Sequence, residues 1–114
     1  MTSTNRAVIA VNLFSMLPGV DPADFERFSA EVDRPTCLAH HDVVRRFDAF
    51  RVDHAPDGAP ADILEVMEVT DWAAWEWLRD NHPTMKPVTD GFDDLVDPAT
   101  VRTYFTHLIP GAFE

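Results

Sequence analysis

The predicted order of elements, β-α-β-β-α-β within 114 residues, places the chain in the α+β class. Three features carry that reading. Ala7 to Met16, AVIAVNLFSM, is an almost unbroken apolar run of strand length. Two stretches with apolar residues at helical spacing each follow an aspartate suited to capping a helix, Asp21 and Asp71. Between two further strand-like segments lies Ala55-Pro56-Asp57-Gly58-Ala59-Pro60, a turn of Pro, Asp and Gly chemistry that predicts an antiparallel hairpin.

Taken in order, the first run is closed by Leu17-Pro18-Gly19, and its β-branched content suits a central strand buried on both faces. Asn12 is the strongly polar residue inside it. A buried Asn must be satisfied either by a hydrogen-bond partner or by a ligand. After Asp21-Pro22, residues Phe25, Phe28 and Val32 form one apolar stripe, with Asp24, Glu26 and Arg27 turned outward. Arg34-Pro35 is expected to end this helix, because the residue before a proline is driven from helical angles. Thr36 to Asp42 is then a connector, with room for a short helical turn. Val43 to Asp53 reads as a second strand, and its charges on both faces (Arg45, Arg46, Asp48, Arg51) suit an edge. Ile63 to Val69 is the third strand. Trp72, Trp75 and Leu78 follow at helical spacing, with Trp77 off that stripe, until His82-Pro83 breaks the helix. Met85, Val88, Phe92 and Leu95 mark another helical piece despite Pro87 and Gly91. Asp97-Pro98 ends it, and Thr100 to Ile109 is a fourth strand.

This is the order of the ferredoxin-like plait, one domain over residues 1–114 whose four-stranded antiparallel sheet carries both helices on one face. In the third strand Ile63 and Met67 point one way while Leu64 and Val66 point the other. A monomer would leave one apolar set in water, so the expected assembly is a homodimer closed into a dimeric α+β barrel.

Nine basic residues against twenty acidic ones give a net charge of −11, which turns away nucleic-acid phosphates and anionic membranes. Cys37 is the lone cysteine, so the chain forms no internal disulfide, which suits a reducing cytoplasm. Its thiol is either a small buried apolar group or a catalytic thiolate. No apolar run approaches the roughly 20 residues of a membrane-spanning helix, and MTSTNR lacks signal-peptide character. The expected setting is cytoplasmic.

The densest chemistry lies in Arg34 to Arg51, RPTCLAHHDVVRRFDAFR. With the first and third strands taken as parallel neighbours, one end of the sheet gathers Phe14, Ser15, Glu68 to Thr70, His40 to Val43, Thr100 to Arg102 and the start of the tryptophan helix. Asp62, Arg51, His54 and His107 then fall at the other end. His40 and His41 are the leading acid/base candidates, since histidine moves protons near neutral pH. Adjacent residues rarely chelate one ion and no third ligand is signalled, so no metal is expected. Glu65 and Glu68 are three apart on a strand and face opposite ways, so at least one is enclosed. That carboxylate is either paired with Arg46 or Arg102 or raised in pKa for proton transfer. Trp72 and Trp75 read as core or as ligand platform. Arg102 and Tyr104 fit either contact with a polar aromatic substrate or an edge-strand role. No phosphate loop, nucleophile elbow or dinucleotide fingerprint occurs, and no cofactor is expected.

The segments RPTCLAHHDVVRRFDAFRV, EVMEVTDWAAW and FDDLVDPATVRTYF, in this element order, resemble the RedY-like (HapK-type) proteins of prodiginine and bisindole pathways, over Val8 to Ile109. The wider dimeric α+β barrel superfamily includes cofactor-free monooxygenases, haem-degrading enzymes, cyclases and binding proteins. The resemblance implies a small homodimeric, cofactor-independent enzyme of secondary-metabolite (antibiotic) biosynthesis acting on an indole- or pyrrole-derived aromatic intermediate by cyclisation, dehydration or a related proton transfer. Within that expectation our geometric reading gives acid/base work to His40 or His41, oriented by Glu68 or Glu65. It gives substrate contacts to Asn12, Phe14, Trp72, Trp75, Arg102 and Tyr104. A cofactor-free oxygenase and a non-catalytic protein shielding a pathway intermediate are the alternatives.

Overall fold

A computed structural model describes residues 7–111. The chain runs β1 (Val8–Phe14), α1 (Pro22–Phe28), a π-turn (Ser29–Asp33), α2 (Arg34–Ala39), β2 (Val44–Arg51), β3 (Ile63–Val69), α3 (Trp72–Asn81), a 3-10 turn (Pro83–Met85), α4 (Lys86–Leu95), a second 3-10 turn (Pro98–Thr100) and β4 (Arg102–Thr106). The sheet order is β2-β3-β1-β4, and every pair is antiparallel. This is the α+β ferredoxin-like plait, with charged β2 on an edge. No helix is long and apolar enough to cross a membrane among the described residues.

Two expectations are corrected. β1 and β3 are antiparallel, not parallel: Val8 stands opposite Val69, and Phe14 opposite Ile63. The crossover makes β1 parallel to β2, and the hairpin sets β3 against β2, so β3 must also run against β1. Phe14 and Arg102 therefore lie at the opposite end of the sheet from Val44 and Val69, where His40 and His41 enter β2.

The second correction concerns Arg34-Pro35. Helical structure does not stop there but continues to Ala39. Pro35 has no N–H to give to the preceding turn, and the chain absorbs the defect by widening into the π-turn, where the Arg34 N–H reaches back to Ser29 O. Proline then sits in the first turn of α2, where its missing donor costs nothing.

The helices cover one face of the sheet. Ala10, Phe14, Phe47, Ile63, Met67 and Val69 are buried beneath Phe25, Phe28, Trp75, Leu78, Met85 and Val88. Gly91 lets α4 press onto α1, since a Cβ there would run into the Phe28 ring. The stripe foreseen for α3 is observed: Trp75 and Leu78 are buried, whereas Trp77 is 60% exposed. The other face carries Ile9, Val11, Leu13, Leu64 and Val66 half-buried, with Phe50 and Tyr104 about half exposed at its margins.

Candidate functional site

The antiparallel register sets Asn12 of β1 opposite both Glu65 of β3 and Thr103 of β4, so these three form one cross-strand row. Residues in such a row share a face, and Glu65 shows that it is the helix-covered one, being 3% exposed. The Thr103 hydroxyl donates to Asn12 Oδ1 at 2.7 Å, giving this strand-interior Asn its partner. Above the row, the π-turn delivers Asp33, 4% exposed, while α3 and α4 bring Trp72, Trp75 and Phe92. Between them lies a cavity of about 420 Å³, within the size range of small-molecule sites. Phe14, Phe47, Trp72, Trp75 and Phe92 give it aromatic walls among polar and charged ones, and Trp72 is braced by an edge contact with Phe105 at 4.7 Å.

Two carboxyl groups converge on this cavity. Burial pushes the Asp33 carboxyl up to about 6, against the opposing pull of the hydrogen bond from Cys37 and the Arg34 guanidinium. Burial, followed by the nearby charge of Asp33, holds the Glu65 carboxyl well above the usual carboxylate range, with Arg34 pulling the other way. Glu65 Oε2 is buried and has no hydrogen-bond partner among the described residues. Burial, then the Asp33 charge, drives the Cys37 thiol upward too, and the thiol hydrogen-bonds Asp33 Oδ1 at 3.5 Å. Cys37 is thus a buried S–H donor rather than a thiolate. Both carboxyl groups therefore hold their protons more tightly than exposed ones do. Two carboxyl groups whose pKa burial raises stand together beside aromatic walls, and carboxyl groups tuned in this way suit general acid/base chemistry.

The structure brings Asn12, Phe14, Glu65, Trp72 and Trp75 together around the cavity, and it leaves the other predicted residues outside it. His40 Nε2 meets Thr84 Oγ1 at 2.8 Å, and its ring packs edge-on to His82 at 4.7 Å, in a separate surface depression. His41 is exposed, with Nδ1 3.4 Å from Ala39 O. Glu68 lies on the helix-free face opposite Arg46, as the alternation of β3 requires. Arg102 and Tyr104 occupy that same face, where Arg102 donates to Pro60 O at 3.3 Å. The enclosed Glu65 pairs with neither Arg46 nor Arg102; its cationic neighbour is Arg34. Among the described residues no group of three His, Cys, Asp or Glu side chains could hold a metal ion. Asp33 was hidden by the helix end expected at Arg34. Its signal was the four-residue spacing Ser29, Asp33, Cys37, three small or polar side chains that are buried in one line.

The family model described as REDY-like protein HapK matches residues 8–109. Among solved structures, HapK from Hahella chejuensis superposes with a TM-score of 0.73 at 20% identity, covering 94% of this chain and 97% of that one. SnoaB, a cofactor-independent oxygenase from Streptomyces nogalater, gives 0.70 at 18% identity, covering 96% and 99%. A dimeric ferredoxin-like protein of unknown function from Thermobifida fusca gives 0.68 at 13% identity, covering 95% and 96%. Identities this low speak for the fold alone. No curated protein matches the chain. On the family match, the chain belongs to the REDY-like HapK family.

Proposed function

With that membership as the premise, we propose that the chain is a cofactor-independent enzyme of secondary metabolism that cyclises or dehydrates a reactive indole- or pyrrole-derived intermediate, of the bisindole or prodiginine-like kind, by acid/base catalysis in the cytoplasm. The observation that carries the reading is the enclosed Asp33–Glu65 pair. Dehydration needs one proton delivered to a departing oxygen and another taken from carbon or nitrogen. A protonated Glu65 and an ionised Asp33 supply both within one aromatic-walled cavity, and Asn12 and Thr103 offer polar contacts beside them. The catalytic roles first given to His40 and His41 pass in this reading to the two carboxyl groups.

The helix-free face motivates a homodimer, in which Ile9, Val11, Leu13, Leu64 and Val66 are covered by a second copy to make the dimeric α+β barrel. Related folds are described as dimeric. Such an interface should bury at least about 1,200 Å², and light scattering at micromolar concentration should give twice the chain mass. A monomer would remove this part of the proposal.

The fold likeness to SnoaB favours one second reading, a cofactor-free oxygenase in which the same base generates a substrate carbanion for dioxygen. The deciding experiment follows turnover of the aromatic intermediate made by neighbouring biosynthetic enzymes, with and without oxygen. Equal turnover under argon, lost in Glu65→Gln, supports the acid/base reading. Stoichiometric oxygen uptake replaces it with the oxygenase, and undiminished product formation by Glu65→Gln leaves a shielding protein.

A further inference from the structure

We infer that the cavity takes its aromatic ligand as a nitrogen cation, an N–H donor set on Glu65 Oε2 with its ring among Trp72, Trp75 and Phe92, and that it turns away carboxylated and phosphorylated ligands. The inference deepens the proposed function and rests on it for the identity of the site, though not for catalysis.

Two independent observations point to such a ligand. The first is the orphan oxygen. Glu65 Oε2 is sealed from water at the cavity wall with no donor among the described residues. An acceptor left bare in a buried site is costly, and a ligand N–H relieves that cost. The second is the charge of the walls. Asp33, Glu65, Asp80 and Asp93 line the cavity against one guanidinium, Arg79. That guanidinium is already engaged, with Nε 2.8 Å and Nη2 3.1 Å from the Asp80 carboxylate and Glu76 beyond at 4.0 Å. Arg34 neighbours both buried acids, but it lines the groove on the outer side of the π-turn, and its Nε is held by Ser29 O and Oγ at 3.3 and 3.1 Å. No cation is left to meet an anionic ligand inside the cavity among the described residues. Indole faces such as those of Trp72 and Trp75 attract cations. An N–H cation therefore supplies the missing donor and a positive charge that offsets the acidic lining.

Three probes of nearly equal ring size separate these terms: tryptamine as the cation, 3-methylindole as the neutral form and indole-3-acetate as the anion. Calorimetric titration at neutral pH should show tryptamine binding at least roughly tenfold tighter than 3-methylindole, with no binding of indole-3-acetate. Glu65→Gln should abolish the preference, and Asp33→Asn, which should weaken it, serves as the second variant if Glu65→Gln does not fold. Indole-3-acetate binding as well as tryptamine, 3-methylindole binding at least as tightly, or no saturable binding by any probe up to its solubility would each overturn the inference. If the preference holds while Glu65→Gln still turns over the pathway intermediate, the catalytic reading falls and the cation site stands.

Discussion

Asp33 and His40 belong to one helical stretch and are both titratable, yet the fold gives them opposite surroundings. Asp33 comes off the inside of the π-turn into a water-poor space beside Glu65, where burial raises its carboxyl to about 6. His40 ends the same stretch at the surface, in a hydrogen-bonded chain with Thr84 and His82. A histidine suits proton transfer by its intrinsic chemistry, whereas a carboxyl group has to be brought there by its environment. Here enclosure decides. The cavity is built around the two carboxyl groups, and the imidazoles of His40 and His82 lie in a separate surface depression.

The largest expected contrast between the two regions is in rate. Glu65→Gln keeps the shape of the side chain but removes its proton transfer, and turnover of the pathway intermediate should fall by about 10²- to 10⁴-fold. His40→Gln and His41→Gln should leave the rate unchanged within error. The reverse pattern would return the chemistry to the histidine cluster.

Next in size is a stability effect at Asp33. Its folded pKa lies above the ordinary value, about 6 against 3.8, so the folded state holds the proton more tightly than the unfolded chain. This contribution is fully present below pH 3.8 and is lost as pH rises to about 6. At neutral pH the ionised Asp33 therefore costs about 3 kcal/mol of stability, an upper figure. Asp33→Asn keeps an oxygen for the Cys37 thiol and removes the titration. In chemical denaturation the variant should be the more stable protein at pH 7, and that advantage should vanish near pH 4. A wild-type protein whose stability rises from pH 4 to pH 7 by a margin absent from the variant would contradict the assignment.

The smallest effect belongs to the surface cluster. His82 Nδ1 accepts the Thr84 N–H at 3.2 Å and caps the 3-10 turn ahead of α4. Its replacement by alanine should cost about 1 kcal/mol, measured by thermal unfolding, with the Asp33 pH profile untouched. A shift of that profile would mean the two regions are coupled.

Much of this contrast was legible in the sequence. The bounds of β3 follow from its alternation and the Pro-Asp-Gly turn before it, and that alternation also assigned Glu65 and Glu68 to opposite faces. The capped starts at Asp21 and Asp71 follow from their side chains, which accept from Ala23 N and Ala74 N. Of the residues expected to contact substrate, Asn12, Phe14, Trp72 and Trp75 line the cavity, while Arg102 and Tyr104 lie on the other face of the sheet. One thing was not legible: a proline ordinarily ends a helix at the residue before it, and nothing local announces a π-turn that carries the helix past Arg34 and sets Asp33 inward. The direction of β1 relative to β3, by contrast, follows from the crossover and the hairpin together, both of which the sequence displays. Misreading it carried His40 and His41 to the same end as Phe14 and Arg102.

The central claim is that Asp33 and Glu65 form a proton-holding pair inside the fold, and carboxyl carbons report that directly. In protein labelled at the Asp and Glu side-chain carbons, with Asp33→Asn and Glu65→Gln for assignment, carbon NMR across the pH range should show Asp33 titrating at about 6. Glu65 should remain protonated after the exposed glutamates have ionised, and Asp33→Asn should lower the pH at which it finally titrates. If Asp33 and Glu65 instead ionise together with the surface carboxylates, each indifferent to loss of the other, the pair is solvated, and the account of the site fails with it.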